Sequence, residues 1–182
     1  MNIFYLDSDA SLAAKYHVDK HVVKMILESA QLLCTSHRIL DGSPKKVSRT
    51  TKTGKVREVT SYLLQDSKKD SILYSATHIN HPCTIWCRET INNYMWLYQL
   101  FVELCDEYTY RYNKKHKTDI LLRDVLKQHP RNMSRIEFTR PAQAMPDDYK
   151  SSDSVEAYRT YYMADKRKFA KWTKRDVPQW FI

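Results

Sequence analysis

Near the start of the chain, five side chains able to do acid–base or nucleophilic chemistry recur at helical spacing. Successive members are four, three, four and three residues apart, which on an α-helix places them in one line on one face: His17, His21, Lys24, Glu28 and Gln31. Imidazole, amine and carboxylate groups transfer protons or attack carbon, so we take His17, His21, Lys24 and Glu28 as candidate catalytic residues. A solvated helix face with one Lys24–Glu28 ion pair explains the same pattern.

The composition favours a globular protein that is mainly helical. The chain has 182 residues, of which 42 % are hydrophobic and 28 % charged, enough for one domain with a hydrophobic core. Its only glycines are Gly42 and Gly54, which argues against a glycine-cradled phosphate site and against a turn-rich all-β fold.

The charge balance points to a polyanionic partner. The net charge of +9 favours nucleic acid, most simply DNA, although a generically basic protein has the same balance. The sequence contains no run of 18 apolar residues and does not begin like a signal peptide. Its four cysteines are typical of reduced thiols, so we expect a cytoplasmic protein without a membrane partner.

The hydrophobic periodicity predicts a single mainly α-helical domain over residues 1–182 with a small basic β-hairpin. We expect a strand or extended lead-in at 2–6, and a helix from about 10 to 40 with a possible break near His17. A weakly helical stretch follows at 60–76, then helices at 82–112, 118–128 and from 153 or 154 to about 172, with a loop at 130–152. One face of the first long helix is predicted to be apolar: Val22, Val23, Ile26, Ala30 and Leu33.

Residues 43–59 are predicted to form the hairpin, or a mobile flap. The segment interleaves cations with valine, threonine and serine, and these cations are candidate phosphate ligands: Lys45, Lys46, Arg49, Lys52, Lys55 and Arg57. A solvated loop is the alternative.

Histidines and cysteines cluster just before the long predicted helix. His78, His81, Cys83 and Cys87 lie within ten residues, but their spacing matches no standard zinc module, so we predict no metal and no cofactor. Asn80 and His81 precede Pro82 at a predicted helix start, where backbone amides favour an anion. With Arg88 they form a second candidate nucleic-acid contact, although an ordinary helix start has the same residues.

Parts of the chain resemble the pyrimidine-dimer DNA glycosylases, the family of phage endonuclease V. The resemblance covers roughly residues 1–37 and 76–116, and the whole chain is also similar to uncharacterised proteins of large tailed phages. The residues that carry it are Phe4, Asp7, Ala14, Asp19, Lys20, Lys24, Glu28, Gln31, Leu32, Leu33, Asn80, His81, Pro82, Trp86, Tyr94, Leu97, Glu107 and Arg111.

The resemblance implies a compact helical DNA-repair enzyme. Such an enzyme attacks the sugar C1′ with an amine, expels the damaged base and cleaves the strand by β-elimination. The family's nucleophile is the chain's own amino terminus, and an essential glutamate on the first long helix corresponds to Glu28. Because Asn2 disfavours removal of the initiator methionine, the amine here would be that of Met1 or Lys24. Lys20, Lys24 and Arg88 correspond to phosphate-contacting residues.

Two other functions fit the same residues. A non-enzymatic nucleic-acid-binding protein would bind in a salt-dependent way without a covalent intermediate. An enzyme acting on a small phosphorylated nucleotide would draw its acid and base from the line of His17, His21, Lys24 and Glu28, and would use the basic segment as a lid.

Overall fold

The computed structural model describes residues 1–51 and 53–182 and confirms a mainly α-helical chain with one small antiparallel hairpin. Within these residues the elements are α1 (Ala10–Tyr16), α2 (Asp19–Asp41), β1 (Ser43–Thr50), β2 (Val56–Leu63), α3 (Ser67–Ile72), α4 (Pro82–Glu89), α5 (Ile91–Tyr112), α6 (Lys117–Leu122) and α7 (Ser154–Lys166). Short 3-10 turns follow at Val125–Lys127, Asp147–Tyr149, Arg167–Phe169 and Gln179–Phe181. None of these helices is long and apolar enough to cross a membrane.

The predicted break near His17 is confirmed. His17 caps the end of α1 in extended geometry, and α2 begins only at Asp19. The Val18 N–H donates to the Tyr162 hydroxyl at 3.0 Å instead of continuing a helix. The prediction that five polar residues share one helix is therefore wrong for His17, which lies outside α2.

The hairpin is longer than predicted. β1 pairs with β2 from Ser43 opposite Leu63 to Thr50 opposite Val56, so the weak helix expected at 60–76 is wrong for its first residues. Only α3 within that stretch is helical, and the Asp66 carboxylate caps it by accepting from the Lys69 N–H at 3.0 Å.

The single helix predicted over 82–112 is wrong, because Thr90 divides it. Thr90 has extended backbone and caps α5, its hydroxyl accepting from the Asn93 N–H at 3.1 Å. The last helix is also shorter than predicted, since α7 ends at Lys166 rather than near Trp172. Its predicted start at 153 or 154 is confirmed, since the helix begins at Ser154 with Asp153 as its cap. The predicted loop at 130–152 is also confirmed apart from one 3-10 turn.

Helices α2, α4 and α5 enclose the core. On α5 the side chains of Tyr94, Leu97, Phe101 and Leu104 are buried, whereas Ile85 on α4 is 45 % exposed. On α2 the predicted apolar face is buried at Val22, Ile26, Ala30 and Leu33, but Val23 is 41 % exposed. Val23 faces solvent because it precedes Lys24 and shares that exposed side of the helix.

A buried ionic cluster joins the start of α2 to the end of α5. Arg111 donates to Glu107 at 2.7 Å, to Asp19 at 2.9 Å and to the His17 carbonyl at 3.0 Å. Arg175 donates to the second Glu107 oxygen at 2.9 Å. These contacts hold the pKa of the Glu107 carboxyl below its usual range although burial opposes this. Because every charge in the cluster is paired, burial does not leave one uncompensated.

Arg38 anchors the base of the hairpin to the helices. Its guanidinium, only 6 % exposed, donates to the Tyr62, Leu73 and Tyr74 carbonyls at 3.0, 2.7 and 3.1 Å and pairs with Asp70. One α2 side chain thus binds β2, α3 and the segment that follows α3.

Replacing Arg38 with methionine should lower the free energy of unfolding by about 3 kcal/mol, because Asp70 and three carbonyls lose a buried partner. Urea denaturation measures the loss, and amide exchange should accelerate most around Tyr62 and Leu73. The control Arg57→Met removes an exposed arginine of the same hairpin and should change stability by less than about 0.5 kcal/mol. Equal effects of both variants would contradict an anchoring role for Arg38.

Candidate active site

The first residues of the chain lie against the Glu28 side chain in the middle of α2. The amino group of Met1 is 3.6 Å from Glu28 Oε2, and the Asn2 N–H donates to the same oxygen at 3.1 Å. Glu28 is 9 % exposed. The Asn2–Glu28 contact, between residues 26 positions apart, therefore places the primary amine of the preceding Met1 beside a largely buried carboxylate.

Asn2 holds this segment in place. Its side-chain oxygen accepts from the Ile3 and Phe4 N–H groups at 2.7 and 3.1 Å, and its amide donates to the Ala144 carbonyl at 2.8 Å. Phe4 has a positive φ of 39°, which is uncommon for a bulky residue. Residues 2–6 are buried and form no strand, and the predicted extended course is wrong at Phe4–Leu6, where the Leu6 N–H donates to the Phe4 carbonyl at 2.7 Å and turns the chain.

Lys24 supplies a second amine on the solvent side of the carboxylate. Its Nζ is 3.2 Å from Glu28 Oε1, in the i,i+4 relation that the helical spacing predicts. The Lys24 side chain is 66 % exposed. Glu28 thus has an amine near each oxygen, one on the terminal segment and one facing solvent.

His81 forms the third side of this group. It caps α4, and its Nδ1 accepts from the Cys83 N–H at 3.2 Å, which leaves the proton on Nε2 in the neutral ring. Partial burial lowers the pKa of His81, the nearby Met1 amino group and His78 lower it further, and Glu28 opposes them. The ring is therefore a neutral donor near the amine and carboxylate at neutral pH.

Of the other residues predicted to contact nucleic acid, Arg88 holds the loop before α4, whereas Asn80 and Lys20 are exposed on the surface. Arg88 is half-buried and donates from Nη1 to the Ile79 carbonyl at 2.7 Å, which holds the segment before α4. Burial lowers the pKa of Arg88. Asn80 is exposed. On the start of α2, Lys20 is exposed and lies over the Phe169 ring at 5.0 Å.

His17 and His21 belong to the packing beneath the terminal segment. His17 has no exposed surface, and its Nδ1 lies 2.6 Å from the Ala13 carbonyl oxygen. His21 stacks on Phe4 at 4.5 Å, and its Nδ1 lies 2.7 Å from the Tyr162 hydroxyl. Burial is the main cause that lowers the pKa of His17 to about 4 and of His21 to about 3. The structure therefore brings Lys24 and Glu28 together but keeps both histidines neutral inside the protein.

The histidine–cysteine cluster does not converge. Cys83 and Cys87 are buried, and burial raises the pKa of each thiol to about 12. Among residues 1–51 and 53–182, no group of three or more histidine, cysteine, aspartate or glutamate side chains is placed to hold a metal ion.

The predicted hairpin cations are exposed along both strands. Lys45, Lys46, Arg49, Lys55 and Arg57 are all exposed, and Lys46 lies 3.9 Å from Glu58. Lys52 lies outside the described residues. Arg49 donates to the Ser75 hydroxyl at 3.0 Å and borders a pocket of about 440 Å³ beside α2, lined by Leu27, Gln31, Arg49, Tyr74, Ser75, Ala76 and Thr77.

Sequence reasoning missed Asn2 as a positioning residue and the far side of this pocket. Asn2 entered only as an obstacle to methionine removal, and no local pattern indicates its contact with Ala144. Tyr74, Ser75 and Thr77 follow a short helix without periodicity, so they carried no signal. The one feature of the sequence that could have indicated a role for them is their position directly before His78 and His81.

Comparisons with protein-family models, curated proteins and solved structures returned no match to this chain.

The buried histidines predict acid sensitivity. The unfolded chain takes up protons below about pH 6.5, whereas His17 and His21 stay neutral in the folded protein until about pH 4 and about pH 3. The free energy of unfolding should therefore fall as the pH drops from 7 to 5, by about 2 kcal/mol for each histidine. In His21→Gln the difference between the two pH values, measured by urea denaturation, should shrink by about that amount.

The control is His78→Asn, which removes an exposed histidine with a positive φ of 49° that asparagine tolerates. It should leave the pH dependence as in the wild type. An unchanged pH dependence in His21→Gln would show that this ring is not kept neutral in the folded protein.

Proposed function

We propose that this protein is a DNA-acting enzyme of the N-glycosylase and abasic-site lyase type, in which Glu28 assists an amine nucleophile. The observation that carries the proposal is the pairing of the Glu28 carboxylate with two primary amines, Met1 at 3.6 Å and Lys24 at 3.2 Å. The net charge of +9 supports a polyanionic substrate.

The chemistry follows from these groups. The amine nitrogen attacks C1′ of the deoxyribose, the glycosidic bond breaks, and its electron pair leaves with the base, which takes up a proton. The sugar ring opens as an imine forms between nitrogen and C1′. Loss of a proton from C2′ then expels the 3′ phosphate and breaks the strand. A carboxylate beside the amine relays these protons.

The Met1 amino group is the better candidate nucleophile. It belongs to a residue whose side chain is 2 % exposed, beside the largely buried Glu28 carboxylate. It is also held by its neighbour, because the Asn2 N–H and side chain are both hydrogen-bonded, and orientation lowers the barrier to attack. Lys24, 66 % exposed, is suited to contact a phosphate beside the reacting sugar.

Borohydride trapping tests the proposal on DNA with an abasic site and, separately, on DNA with a thymine dimer. Wild-type protein should give a covalent species, and Glu28→Gln should form it about 100-fold more slowly. Lys24→Ala should retain trapping, as should the control Lys15→Ala, which removes an exposed lysine of α1. A chain extended by two residues before Met1 should lose it.

The opposite pattern, with trapping lost in Lys24→Ala and kept in the extended chain, would assign the nucleophile to Lys24. Good DNA binding without any trapped species would contradict the lyase proposal and favour a binding protein. Turnover of free nucleotides by a chain indifferent to DNA would favour the nucleotide enzyme.

A further inference from the structure

The hairpin folds back along α2 towards Glu28. From Ser43 to Arg49 the strand advances about 20 Å at about 3.3 Å per residue, and from Asp41 back to Leu27 the helix covers about 21 Å at 1.5 Å per residue. These lengths match, and Arg49 lines one pocket together with Leu27 and Gln31 of α2. Arg49 therefore lies beside the helical turn that carries Glu28.

The register places two arginines directly opposite each other on one face of the hairpin. Arg49 pairs with Arg57, and Val47 pairs with Val59 on the same side. Both valines are half-buried, whereas Lys46, Ser48, Glu58 and Thr60 on the other side are exposed. The arginine face is therefore the one turned towards the body of the protein.

This face carries no acidic residue. Its paired positions are Ser43 with Leu63, Lys45 with Ser61, Val47 with Val59 and Arg49 with Arg57. Among the described residues neither arginine forms an ion pair, and Arg49 has only the Ser75 hydroxyl as a hydrogen-bond partner. Like charges opposite each other destabilise an antiparallel pair, so the arrangement costs stability until an anion lies between them.

The hairpin is also held at a set position. Arg38 binds the Tyr62 carbonyl near its base, and Arg49 binds Ser75 near its far end. A cleft of about 440 Å³ remains between the hairpin and α2. Among the described residues that line it, Arg49 is the cation, and Leu27 and Gln31 on its α2 side lie within one helical turn of Glu28.

We propose that the Arg49–Arg57 face binds phosphates of the DNA strand that continues from the nucleotide at Glu28, so that the substrate is a polynucleotide and not a free nucleotide. This inference rests on the proposed function, whose site it extends. The hairpin then forms one side of the DNA-binding surface, and the DNA strand passes between the hairpin and α2. Guanidinium groups suit this role because they donate bidentate hydrogen bonds to phosphate.

The test is the salt dependence of binding to a labelled duplex that contains a tetrahydrofuran abasic analogue, which cannot form an imine. In Arg49→Gln/Arg57→Gln, the slope of log K against log salt concentration should become shallower by about 1.8, since each phosphate contact contributes about 0.9. Affinity near 0.1 M salt should fall by roughly 60-fold, because a slope change of about 1.8 over the decade of salt below 1 M is about 1.8 log units. Thermal stability should be unchanged or slightly higher, because a like-charge pair is removed.

The matched control is Lys15→Gln/Lys114→Gln, which removes two exposed cations where α1 and α5 end. Arg111, three residues before Lys114, donates to the Lys15 carbonyl and to Asp19 at the start of α2. The hairpin follows the opposite end of this 23-residue helix. The control should keep the wild-type slope.

The inference would be overturned if the arginine variant kept the wild-type salt slope. It would also be overturned if the arginine and lysine double variants lost equal amounts of slope and affinity. Displacement of the duplex by thymidine monophosphate from wild type but not from the arginine variant would overturn it too, by making the cleft a nucleotide site.

The binding assay needs no chemistry, so it is read separately from the trapping experiment. A changed slope without trapping rejects the enzyme proposal alone, and trapping with an unchanged slope rejects the hairpin proposal alone. A wild-type chain that does not bind the duplex would reject both.

Discussion

The candidate site depends on one contact, between the Glu28 carboxylate and the first two residues of the chain. This contact requires that residues 2–6 pass through the interior without a strand partner, and the Asn2 side chain instead satisfies the backbone N–H groups of Ile3 and Phe4. It also requires that the Phe4 ring packs inside the protein, where it contacts the rings of His21, Tyr158 and Tyr162. His17 and His21 therefore support the candidate site by packing beneath the terminal segment.

Charged groups occur in two contrasting arrangements. Inside the protein, Arg111, Glu107, Arg175 and Asp19 are mutually paired, and Arg38 is paired with Asp70 and carbonyls. On the inward face of the hairpin, Arg49 and Arg57 face each other without an acid. Paired buried charges maintain the structure, whereas unpaired cations leave a positive potential that favours an anionic partner. The excess of positive charge in the composition is thus partly concentrated on one arm beside the candidate site.

Local patterns in the sequence predict local features well. The mainly helical fold, the hairpin, the start of the last helix at Ser154 and the Lys24–Glu28 pair all follow from spacing and turn residues. The sequence does not predict features set by contacts between distant residues. His17 leaves the helix because Tyr162 takes the Val18 N–H, and the Met1–Glu28 contact joins segments with no shared periodicity. Continuous apolar periodicity on both sides of Thr90 concealed the boundary between α4 and α5.

The ends of the hairpin lie side by side, since Ser43 is the cross-strand partner of Leu63. Cross-strand partners are only about 5 Å apart, so the chain leaves α2 and returns to α3 at almost the same point. The 21 residues between these ends form a module that a tight turn could replace while α2, α4 and α5 keep their packing. Neither strand contributes a fully buried side chain, so the core belongs to the helical body, and the hairpin is an appendage joined to that body through Arg38.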